Sequence, residues 1–130
     1  MKKFFLIFVF VSITHIMDAQ ILEQKQVVRK VANTYSIYVD NQWLELRECH
    51  VPIEINITDR RVIIYSKQKQ TYNVFDEYPV PSNSENVQIG FMMIDQNDDQ
   101  GIIRFAALPN GILQIYIDFE NISWCYNIEE

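Results

Sequence analysis

The side chains able to do chemistry are few. Cys49, His50 and Cys125 are the only Cys or His residues beyond the first twenty positions. A structural zinc site asks for four such ligands, commonly in closely spaced pairs, and strand neighbours such as Cys49 and His50 point to opposite faces. No metal site is expected. Nucleophilic catalysis meets the same shortage, because it would have to use His50 and no serine lies in a Gly-x-Ser-x-Gly elbow. The stretch Asp95-Gln96-Asn97-Asp98-Asp99-Gln100-Gly101 resembles the opening of a calcium loop, with oxygen ligands at alternating positions. The match then breaks: glycine belongs sixth and Gly101 is seventh, while Ala106 stands at the twelfth position, where a bidentate Glu is needed. A solvated hairpin tip is the simpler reading, since Asn, Asp and Gly suit turns.

Glu45, Glu48, Glu54, Asp118 and Glu120 lie in or beside expected strands and could pair for glycoside hydrolysis. In so acidic a chain close pairs arise by chance, and a solvated face explains them. Gly90, Gly101 and Gly111 are the only glycines, too few for a phosphate-cradling loop. Asn56-Ile57-Thr58 and Asn121-Ile122-Ser123 fit the N-glycosylation triplet, a common chance pattern. The expectation is a protein with no catalytic residues and no cofactor. Binding chemistry remains, and its candidates are the aromatics Trp43, Tyr65, Tyr72, Tyr116 and Trp124. Core anchoring is the first role of such large rings, and a ligand platform the second.

The elements that must position these rings follow from composition and patterning. The 130 residues are 48% apolar and 13% aromatic, enough for one packed domain and too apolar for a disordered tail. A net charge of −6 argues against nucleic-acid binding, which relies on clustered Lys and Arg. Residues 1–19 read as a cleavable signal helix: Lys2 and Lys3, an apolar run from Phe4 to Val11, then Ala19 before the cut. The run is too short for a spanning helix, which needs about 20 predominantly apolar residues. The expected product is secreted or periplasmic, without stable membrane insertion, and one charge more acidic after losing two lysines and one aspartate. An oxidising compartment and an even cysteine count favour a Cys49–Cys125 disulfide.

From Tyr35 onward the chain alternates with spacing two, the mark of strands with distinct faces. Val51, Ile53, Ile55 and Ile57 share one face, with Pro52 near a strand start or edge. Val87, Ile89, Phe91 and Met93 share another, as do Leu113, Ile115, Ile117 and Phe119. Tyr35 to Val39, Trp43 to Cys49, Arg61 to Ser66, Gln70 to Phe75, Ile102 to Leu108 and Ser123 to Ile128 bring the expectation to about eight strands. Asp76 to Asn86 is the long loop, and residues 20–33 suggest a short helix leading into the first strand.

Residues 20–130 are therefore expected to form a single all-β domain, an antiparallel meander closing into a barrel, with a β-sandwich as runner-up. In an immunoglobulin-type sandwich the core Trp lies between the paired cysteines, whereas Trp43 precedes Cys49. The layout resembles a lipocalin-like barrel, a family whose first strand typically carries Gly-x-Trp. The nearest match is Asn41-Gln42-Trp43, with Asn in place of Gly. Two roles follow as expectations: a module recognising a protein or glycan, or a carrier of a small apolar ligand inside the barrel.

Overall fold

The computed structural model describes residues 26–82 and 87–129. The expected leader, residues 1–19, lies outside the described residues. Nine strands are present among them: β1 (Val27–Val39), β2 (Gln42–Trp43), β3 (Arg47–Asn56), β4 (Arg61–Tyr65), β5 (Lys69–Tyr78), β6 (Val87–Asp95), β7 (Gln100–Ala107), β8 (Leu113–Asp118) and β9 (Ser123–Ile128). All pairings are antiparallel. Each strand from β3 to β8 pairs with the next, and β1 pairs with both β3 and β9, so eight strands close into a barrel. β2 is an extra strand on the end of β1.

Closure runs through the second half of β1, where Thr34 to Tyr38 face Asn127 to Ser123 of β9. The turns are built locally. Asp40 and Asn41, both with positive φ (54° and 65°), join β1 to β2 in the two-residue form that matches strand twist. Asp95 accepts hydrogen bonds at Oδ1 from the Asn97 and Asp99 amides (2.8 and 2.9 Å), which holds the β6–β7 tip. The calcium-like stretch is thus a hairpin turn whose first carboxylate is engaged by its own backbone.

The inner face follows the alternation read from the sequence. Ile53, Ile64, Met93, Ile103, Phe105, Ile115, Ile117 and Ile128 are fully buried and fill the barrel's middle. Gly101 belongs to this face: a Cβ there would stand 2.6 Å from the Asp118 carbonyl oxygen and 2.9 Å from Met93 and Phe119 side-chain carbons. No side chain larger than hydrogen fits.

Three expectations are corrected. The helix expected within residues 20–33 is absent from the described part, because β1 begins at Val27 and Val28 and Ala32 point into the core. β3 runs unbroken from Arg47 through His50 to Asn56, where two separate strands were expected. Pro52 sits mid-strand, yet the ladder between β3 and β4 covers only Ile53 to Asn56, so the residue without an N–H stands just past its end. Cys49 and Cys125 form no disulfide; both are free thiols. Cys49 packs against the core from inside, whereas Cys125, between inward-pointing Trp124 and Tyr126, faces outward. A barrel wall separates the two sulfurs.

Candidate recognition surface

The outer faces of β7, β8, β9 and β1 carry rows of register partners. Arg104, Tyr116, Cys125 and Ser36 form one row; Ala106, Gln114, Asn127 and Thr34 form the next. Their side chains are tied together. The Arg104 guanidinium lies 4.1 Å above the Tyr116 ring, donates through Nε and Nη2 to the Asp118 carboxylate, and through Nη1 to Gln88 (3.2 Å). A relay continues sideways: Tyr116 OH donates to Gln114 (2.9 Å), Gln114 to Asn127 (2.9 Å), and Asn127 to Thr34 (3.1 Å). Burial, with Cys125 as neighbour, pushes the Tyr116 hydroxyl up to about 12, and burial pushes the Cys125 thiol up to about 11. Both stay protonated near neutral pH, so Cys125 is no thiolate nucleophile.

Trp43 stands on this network. Its ring meets Tyr116 edge-on at 5.9 Å and tilts against Tyr38 at 5.2 Å. The short β2 strand and the two-residue turn fix the backbone, and the two tyrosines fix the ring, leaving Trp43 45% exposed. Leu44 (40% exposed) and Leu46 (60% exposed) follow it. Leu44 is anchored by its backbone, its N–H donating to the Ile37 carbonyl (2.8 Å) and its carbonyl accepting from Ser36 Oγ (2.6 Å).

A second cluster occupies the inner face at the same end of the barrel. Tyr72 and Trp124 both pack on Phe119, at 6.4 and 6.3 Å, and Tyr35 packs on Tyr126 at 6.2 Å. Gln70 joins the buried hydroxyls: Tyr72 OH donates to its Oε1, while its Nε2 donates to Tyr126 OH (3.1 Å) and Ser66 Oγ (2.8 Å). Burial raises the pKa of both tyrosines.

The aromatics singled out from the sequence therefore divide. Trp43 and Tyr116 meet outside, Tyr72 and Trp124 meet inside through Phe119, and Tyr65 stands apart, exposed on β4 with the Lys69 ammonium 5.7 Å above its ring. Of the carboxylates weighed for hydrolysis, Glu54 faces Arg29 (3.3 Å) and Asp118 faces Arg104. His50 is exposed on β3. Among the described residues no group of three His, Cys, Asp or Glu side chains converges on a metal-sized point. Sequence reasoning missed the Arg104 network and the exposed Leu44 and Leu46. A signal for the first existed: a hairpin centred on Pro109-Asn110-Gly111 puts Arg104 opposite Tyr116 and on the outward face.

No family model, no curated protein and no solved structure matches the chain.

Proposed function

We propose that this protein is an exported, non-enzymatic binding module that recognises another protein through the segment Trp43–Leu46. The observation carrying the reading is that, among the described residues, three of the six exposed large hydrophobics fall within four consecutive residues, beside the half-buried Tyr116. A contiguous exposed apolar patch containing a rigid aromatic marks an interaction surface, and Trp, Tyr and Arg are the residues enriched at binding hot spots. The two leucines favour a protein over a glycan, because a sugar stacks on an aromatic ring but offers aliphatic side chains little.

The alternative is a carrier holding a small apolar ligand in a lipocalin-like barrel. It draws support from the half-buried aromatics at the inner mouth, and the side chains filling the barrel's middle weigh against it. Chemical crosslinking of the protein in its native extract, with mass spectrometry of crosslinked peptides and of released small molecules, separates the two. Crosslinks to another polypeptide mapping to residues 42–47, lost in Trp43→Ala/Leu46→Glu, support protein recognition. A bound small molecule retained by that variant, with no crosslinked polypeptide, supports the carrier.

A further inference from the structure

The strand directions fix what surrounds Trp43–Leu46. β1, β4, β6 and β8 finish at the end of the barrel where β3, β5, β7 and β9 begin, so the turns that follow them share that end with the exposed segment. The β8–β9 turn adjoins it, because Ser123 is the register partner of Tyr38, and Tyr38 that of Trp43. Four exposed carboxylates flank the apolar patch: Asp40 in the turn before β2, Glu45 and Glu48 along the segment, and Glu120 in the β8–β9 turn. None of the four makes a side-chain ion pair or hydrogen bond among the described residues. Arg47 is the one exposed cation beside them, since Arg104 is already held by Asp118. With Asp98 and Asp99 of the β6–β7 turn and two lysines at the β4–β5 turn, this end carries six exposed acids against three exposed bases among the described residues, and the opposite end four against three.

We propose, resting on the recognition surface above, that its partner is a basic polypeptide, whose Lys or Arg side chains answer these carboxylates around an apolar residue seated on Trp43, Leu44 and Leu46. An apolar centre within a charged rim is the ordinary anatomy of a protein interface, and a rim of one sign selects a partner of the other. The surface already holds one contact of the kind required: the Arg104 guanidinium lies over Tyr116, the ring that Trp43 packs on, and an indole is the best aromatic acceptor for a cation. The same rim repels a nucleic acid, an acidic protein, and a second copy presenting its own acidic end.

Selection of a random peptide library on the purified protein at low salt tests this. The peptides recovered should combine Lys or Arg with an aliphatic or aromatic residue, and should fail to bind Trp43→Ala/Leu46→Glu. For the peptide recovered most often, Glu45→Lys/Glu48→Lys should weaken binding about tenfold, Arg47→Glu should tighten it about threefold, and raising salt from about 50 to about 500 mM should weaken it about tenfold. The opposite signs of the two charge variants are not produced by misfolding, and circular dichroism confirms that each stays folded. Acidic or uncharged peptides, or affinities that ignore both charge variants, overturn the inference. If such peptides still fail to bind Trp43→Ala/Leu46→Glu, the recognition surface stands and only the basic character of its partner falls. Peptides that bind that variant unchanged overturn both.

Discussion

Replacing Gln70 by leucine tests whether the inner mouth is held by a satisfied polar tie. Gln70 supplies the acceptor for Tyr72 OH and a donor to Tyr126 OH, and both tyrosines are almost fully buried. Leucine fills a similar volume and offers neither. Each buried hydroxyl left without its partner costs about 1–3 kcal/mol, so two of them predict a loss of roughly 3 kcal/mol. Ser66 adds little, because its hydroxyl is near solvent and already donates to the Gln68 carbonyl (2.6 Å). Urea unfolding followed by tryptophan fluorescence reads the change, since Trp124 lies one ring away through Phe119. Tyr72→Phe removes the hydroxyl donating to Gln70, and the double variant should lose less than the sum of the singles, with a coupling of about 1 kcal/mol. A Gln70→Leu loss under about 1 kcal/mol, or additive single effects, would refute the tie.

Phe105→Ala, at the fully buried centre of β7, should lower stability by about 3–5 kcal/mol in the same urea experiment. Stability should fall in alkali. The folded state holds the protons of Cys125 and Tyr116 to about 11 and about 12, whereas the unfolded chain releases them near the ordinary values of 9.0 and 10.0. The stabilisation is thus complete below pH 9.0 and is lost as pH climbs through those folded values. Burial also raises the Cys49 thiol, so in Cys49→Ala/Cys125→Ala the decline, read from thermal melts, should begin closer to pH 10.0. Alkylation of the denatured protein without reductant should add two groups by intact mass, and under native conditions Cys49 should label before the more deeply buried Cys125.

The strands that alternate without interruption could be read from the sequence alone. Val51 to Ile57, Val87 to Met93 and Leu113 to Phe119 put their apolar residues on the inner face, because closing a barrel around them is how these side chains leave water. β1 was harder. Lys30 occupies a position in phase with Val28 and Ala32, and the register with β3 shifts between Ala32 and Thr34, so its alternation is broken twice. Cysteine counting failed for a related reason: it carries no information on faces, and the parity of Cys125 between Trp124 and Tyr126 already points it away from the core. Trp43 was singled out as an aromatic, but its exposure depends on β2 ending after two residues, a tertiary fact with no local signal. The expected leader lies outside the described residues.

Amide hydrogen exchange of the protein alone and with the polypeptide that crosslinks to residues 42–47 tests the recognition surface most directly. Exposed backbone at the edge of a sheet exchanges fast, and a docked partner slows it. The account predicts that the amides of residues 43–48 gain protection when that polypeptide is added and lose that gain in Trp43→Ala/Leu46→Glu. Protection that leaves residues 43–48 untouched, or is confined to the inner mouth around Tyr35, Tyr72 and Tyr126, would contradict it.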